Sequence, residues 1–221
     1  YVCTAAFCFQ ACCLKSILKG LYVMANKNQS KLHKQLLALV ECAVMVALAV
    51  ALDLLPLPKW PNGGSLTIAS IPIIFISYRR GLKWGLAAAF AEAVIQLITG
   101  WYAPPAGTAL AVFGCVMLDY ILAFTVLGTA PVFARLFGKY KLAGYAAGAV
   151  VVNLLRYVCS FLSGVLLWGS CAPEGQSVWV YSLVYNGGYM IPNAILSGVC
   201  IAILCAIVSP ETLRPMKLKK S

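Results

Sequence analysis

The chain has 221 residues, of which 62% are hydrophobic and only 10% charged. A charged share far below the roughly 25% of soluble domains excludes a soluble globular protein, and hydrophobicity this high excludes disorder. The net charge of +11, from 17 Lys and Arg against 6 Asp and Glu, points to nucleic acid in a soluble protein but to cytoplasmic loops in a membrane protein, so position decides.

Residues 1–23 resemble a poor signal peptide: no charged stretch precedes the apolar part, and Lys15 and Lys19 interrupt it. Met24 opens the polar segment MANKNQSKLHKQ. We expect 1–23 to be a translated upstream extension and 24–34 a cytoplasmic N-terminal segment. Residues 35–210 then hold six apolar segments, at about 35–55, 66–78, 84–100, 109–134, 142–168 and 180–208. A span needs about 20 residues, so the second and third need tilt or neighbours to cross. The expected fold is all-α, with six transmembrane helices and a basic cytoplasmic tail at 211–221.

The charges orient the helices. Lys27, Lys31 and Lys34 precede the first segment. Arg79, Arg80 and Lys83 separate the second and third, Arg135, Lys139 and Lys141 the fourth and fifth. Arg214, Lys217, Lys219 and Lys220 follow the sixth. The alternate connections hold only Lys59. Thirteen against one places both termini in the cytoplasm. Spreading the basic residues over four loops removes the nucleic-acid reading. The outer connections, PLPKWPNGGS, WYAPPAGT and GSCAPEGQSVW, are rich in Pro, Gly and aromatics. They read equally as a lid over an outward cavity or as turns with interfacial Trp anchors.

Glu92, Asp119 and Arg156 lie deep in apolar segments. Each costs roughly 2.5–3.5 kcal/mol at the bilayer centre, so such residues face a bundle interior or a wet cavity. They form either an internal ion pair or a ligand site, and two acids against one base leave a negative charge that suits a cation. Glu41 and Asp53, nearer the ends of the first segment, are expected to reach water. Tyr120, Tyr157, Trp168, Trp179, Tyr181, Tyr185, Asn186 and Tyr189 crowd the same outer region, as an aromatic belt or as a ligand cage. Ala43, Ala47 and Ala51 form a small-residue stripe on the first helix; Gly144 with Gly148, and Gly81 with Gly85, form similar steps. The ten cysteines have no metal-ligand spacing. There is no P-loop, and the single histidine, His33, lies outside the membrane. No metal, cofactor or enzymatic activity is expected.

The stretches WPNGGSLTIASIPI (60–73), SYRRGLKWG (77–85), LDY (118–120), RYVCSFLSGVLLWGSCAPEGQ (156–176) and VYSLVYNGGYMIP (180–192) carry a resemblance. The chain resembles the thiamine-specific S components, the ThiT family, of energy-coupling factor vitamin transporters, from about residue 36 to 210. The resemblance implies a six-helix protein of the bacterial plasma membrane that binds thiamine near the outer face. It implies that ligand is delivered with a transmembrane coupling subunit and two ATPase subunits, which supply the energy. It places ligand contacts at Asp119, where the family often has Glu, and at Tyr120, Trp168, Tyr181 and Asn186, with Trp60 and Tyr102 in the outer connections. It assigns the coupling-subunit contact to Ala43, Ala47 and Ala51. Where the family usually has a ligand-contacting His, this chain has Ser160. Ser160 and the shorter Asp119 open an alternative: a thiamine precursor or another vitamin as ligand. A stand-alone facilitator is the other alternative.

Overall fold

The computed structural model describes residues 31–137 and 140–210. The expected extension at 1–23, most of the segment 24–34 and the tail at 211–221 lie outside the described residues. The chain divides between Val40 and Glu41 into two units. The first is described as the helical run 31–40; the packing below is that of the second.

The described residues are helical throughout, apart from connections and one isolated bridge between Lys59 and Ser65. We label the elements α1 (Lys31–Asp53), α2 (Ser70–Arg80), α3 (Leu82–Thr99), α4 (Ala109–Phe137), α5 (Lys141–Leu166) and α6 (Val178–Ile207). All but α2 are long and apolar enough to cross a membrane. Helices alone can do so with every backbone group satisfied within one segment.

From Glu41 onward, α1 is two-faced. Cys42, Val46 and Ala49 are buried, whereas Ala43, Ala47 and Ala51 are exposed, as the helical period requires. The second segment starts later than its apolar run. Leu66 N–H donates to the Pro58 carbonyl, and Thr67 N–H donates to Asn193 Oδ1 at 2.9 Å, so 66–69 belong to the connection. The helix opens at Ser70 with Pro72 in its first turn, where a missing N–H costs nothing. Ile73, Ile74, Phe75 and Ile76 are all buried, as expected of a helix that is apolar on every side. Arg79 and Arg80 form its last turn rather than a loop. Gly81, at φ 83°, turns the chain into α3 in a conformation that favours glycine.

Small residues set the helix approaches. A Cβ on Gly128 of α4 would lie 2.5 Å from the Gly85 carbonyl carbon of α3. One on Gly144 of α5 would lie 2.6 Å from the Ala134 carbonyl oxygen, and one on Gly148 equally close to the Tyr78 hydroxyl. The steps at Gly85 and at Gly144–Gly148 are therefore true contacts within the fold.

Midway along α1, Glu41 is not a solvent-seeking charge. Its carboxylate accepts from Arg79 Nε at 2.6 Å and Nη2 at 2.8 Å, and from Arg80 Nε at 2.6 Å. Arg79 Nη1 also donates to the Pro210 carbonyl at 3.3 Å. Its place near the start of the apolar segment 35–55 suggests water; two arginines 38 and 39 residues away in sequence take its place.

Candidate ligand-binding site

α4 is not a uniform helix. Thr108 caps it by accepting from Ala111 N–H. Its middle turn, Val116–Leu122, is wound as a π-helix, and Val126–Thr129 as a 3₁₀-helix. A π-turn inserts a residue and re-aims side chains, and such turns concentrate at functional sites. This one carries Asp119 and Tyr120.

Asp119 lines a cavity of about 180 Å³. Its Oδ2 accepts from Ser163 Oγ on α5, from Trp168 Nε1 at 3.4 Å and from Cys115 Sγ at 3.4 Å. Its Oδ1 accepts from none of them. One oxygen thus fixes the carboxyl group and the other stays uncommitted at the cavity. Trp168, beyond the end of α5, is held beside it with its ring against the same space.

Tyr120 is used differently. Its hydroxyl donates to the Gly100 carbonyl at 2.8 Å and accepts from Tyr102 N–H at 2.9 Å. It borders the cavity but pins the α3–α4 connection, bringing Tyr102 to the rim. Asn186 is also committed. Its Nδ2 donates to the Ser182 carbonyl and hydroxyl, and its Oδ1 accepts from the Tyr189 hydroxyl at 2.7 Å.

The α1–α2 connection is clasped by α6. Trp60 N–H donates to the Gly64 carbonyl, closing a turn. Tyr185 accepts from Asn62 N–H at 2.9 Å and donates to the Gly63 carbonyl at 3.0 Å. Tyr181 accepts from Asn62 Nδ2, and Asn193 Nδ2 donates to the Ser65 carbonyl at 2.8 Å. Gly64 has φ 87°, and a Cβ there would lie 2.5 Å from the Tyr189 ring, so only glycine fits.

The lining also carries the remaining charges. Gln96 Nε2 donates to Asp53 Oδ2 at 3.0 Å and to Glu92 Oε1 at 3.1 Å. Thr67 Oγ1 donates to Asp53 Oδ1. Asp53 is therefore half-buried wall and not a helix end reaching water. Arg156 lays its guanidinium over the Phe124 ring, 4.0 Å from the centroid, a cation–π contact. The ion pairs found among the described residues are those of Glu41, and the internal pairing of Arg156 with Glu92 or Asp119 does not form. Glu92 Oε2 and Arg156 Nε are buried without hydrogen-bond partners. Asp53, Glu92 and Asp119 against Lys59 and Arg156 leave the lining one negative charge in excess.

Seven of the eight expected contact residues line this one cavity: Asp119, Tyr120, Trp168, Tyr181, Asn186, Ser160 and Tyr102. Trp60 does not. It packs on Tyr189 at 5.6 Å between centroids, behind the lining. Ser160 is buried on α5 beside Tyr189. Sequence reasoning passes over Gln96, Ser163 and Asn193. Each is a buried polar residue in an apolar helix, the signal that singles out Glu92 and Asp119. No group of three metal-ligating side chains occurs among the described residues.

The comparisons with known proteins agree with one another. The family model described as Thiamine transporter protein (Thia_YuaJ) matches residues 39–212. The chain is 37% identical over 202 residues to the thiamine transporter ThiT of Bacillus subtilis, covering 86% of this chain and 99% of that one. It is 33% identical over 183 residues to the thiamine transporter ThiT of Lacticaseibacillus paracasei, covering 79% and 90%. The solved structure of ThiT from Listeria monocytogenes matches at a TM-score of 0.66 and 27% identity, over 82% of this chain and all of that one.

Proposed function

The chain belongs to the thiamine transporter protein family, and from that premise we propose that it captures thiamine in the Asp119–Trp168 cavity for import. It is a multi-pass protein of the cell membrane whose role is transport and not catalysis. Thiamine joins a permanently cationic thiazolium ring to an aminopyrimidine. A cation in a low-dielectric cavity needs a fixed counter-charge and a π-face. The uncommitted Oδ1 of Asp119 beside Trp168 supplies both, and this is the observation that carries the reading. Tyr181 adds a hydroxyl at the rim. Tyr120 and Asn186 act by holding the connection and α6 in place.

Binding alone does not move a ligand across a membrane. The energy comes from a coupling subunit and two ATPases of the energy-coupling factor type, docked on the exposed Ala43–Ala47–Ala51 stripe. Both termini face the cytoplasm and the cavity faces outward. A bulky residue at Ala47 then abolishes uptake and leaves binding intact.

The test is a thiamine titration of detergent-purified protein followed by intrinsic tryptophan fluorescence. Saturable quenching at submicromolar ligand, lost in Trp168→Phe, supports the reading. Silence toward thiamine with a response to its pyrimidine precursor moves the specificity. Ser160, with its short reach, favours that second reading.

A further inference from the structure

The polar atoms of the cavity divide into those already bonded and those left open. The Asn186 amide hydrogens and the Tyr120 hydroxyl hydrogen are already donated, and Asn186 Oδ1 and the Tyr120 oxygen each already accept one bond. Asp119 stands beside Trp168 and suits the cationic ring. Neither Asn186 nor Tyr120 has a polar atom wholly without a partner to offer the other half of an aminopyrimidine–thiazolium ligand. Two lining residues, Glu92 and Arg156, do keep such an atom.

Glu92 is 1% exposed and lines the cavity. Its Oε1 is held by Gln96, whose Nε2 also holds Asp53, so the carboxyl group cannot swing away to water. Its Oε2 has no partner. A buried acceptor left unpaired is costly, and that cost is removed when a ligand brings a donor. Arg156 Nε, also unpartnered, is a donor on the same lining. An exocyclic amino group beside a ring nitrogen presents the complementary donor and acceptor.

We propose that Glu92, fixed by Gln96 and Asp53, forms a second ligand subsite that accepts a hydrogen bond from the exocyclic amino group of the ligand's heteroaromatic ring. The proposal rests on the thiamine reading above and assigns the two ends of the ligand: cation at Asp119, amino group at Glu92.

The experiment compares thiamine with oxythiamine, in which an oxo group replaces that amino group, by calorimetric titration of the full-length purified protein. The wild type prefers thiamine by about tenfold or more, because oxygen faces oxygen when the donor is lost. Glu92→Gln, which offers an N–H₂, brings the ratio towards one or inverts it. Asp119→Asn weakens both ligands and keeps the ratio. Asp53→Asn, at the less buried end of the same wall, lowers the ratio at least about threefold and serves if Glu92→Gln does not fold. A wild type that ignores thiamine overturns the thiamine reading and this inference together. A wild type that binds thiamine, with a ratio unchanged in Glu92→Gln and Asp53→Asn, overturns this inference alone.

Discussion

Two charged clusters lie in this molecule, and they are built on opposite terms. At Glu41 every carboxylate oxygen is taken, by Arg79 and Arg80, and Arg79 donates a further N–H to the Pro210 carbonyl. Around the cavity, Asp119 keeps one oxygen free, and Glu92 and Arg156 each keep a buried polar atom without a partner. A saturated cluster has nothing left to offer a ligand and serves the fold. An unsaturated one holds a standing cost that only a ligand removes.

Mutation should separate the two clusters cleanly. The largest effect is expected at the open one. Asp119→Asn removes the counter-charge, keeps the shape and allows bonds to Ser163 and Trp168 to persist. Thiamine affinity should fall about tenfold to a hundredfold, the range for losing a hydrogen bond to a charged group. The apo melting temperature should stay close to wild type. Fluorescence titration and thermal melting in detergent check the two halves. A folded Asp119→Asn variant with full affinity would place the cation elsewhere.

Glu41→Gln tests the saturated cluster and should give the inverse pattern. It leaves two adjacent guanidinium groups with one weak acceptor between them. Exposed pairs contribute little, but this one is bidentate and four-fifths buried on the arginine side. A loss of about 1–3 kcal/mol in stability is expected, read as a lower melting temperature, with thiamine affinity unchanged.

How far the sequence reveals this arrangement depends on the range of the interactions. Six apolar runs and the inner-loop charges predict the helices and their order. Asp119 and Trp168 stand out because polar and aromatic groups in apolar runs demand an explanation, and Ser160 only through the family resemblance. Contacts between distant residues are not visible in that way. The late start of α2 depends on Asn193, 126 residues beyond Thr67. Glu41 looks free in the sequence because Arg79 and Arg80 resemble ordinary loop cations. Tyr120 and Asn186 line the cavity as expected, but their bonds to a backbone carbonyl and to neighbouring hydroxyls are not legible in the sequence. Trp60 is expected at the ligand, and ring packing on Tyr189 takes it out of the lining.

The α1–α2 connection gives the next, smaller effect. Gly64→Ala puts a Cβ on a residue at φ 87° and 2.5 Å from the Tyr189 ring. The backbone penalty alone is about 1–2 kcal/mol. Because the connection borders the cavity, affinity should drop by up to about tenfold. Stability should drop less than in Glu41→Gln, since the 60–64 turn carries no part of the helix core. A fall in stability with unchanged affinity would separate this connection from the site.

Tyr185→Phe is the gentlest probe and the most discriminating. The ring and its packing remain, and only the hydroxyl that bridges Asn62 N–H and the Gly63 carbonyl is lost. Neither backbone group is deeply buried, because Asn62 is exposed and Gly63 half-buried, so water replaces the tyrosine at both ends. The net cost is about 0.5–1.5 kcal/mol. If the connection serves only the fold, that cost appears as a slightly lower melting temperature with affinity intact. If it covers the bound ligand, the loosened connection should raise the dissociation rate about threefold and leave the association rate nearly unchanged. Stopped-flow fluorescence resolves the two rates. The second pattern would tie the clasp on α6 to the open cluster and not to the saturated one, even though every hydrogen bond in the clasp is satisfied before ligand arrives.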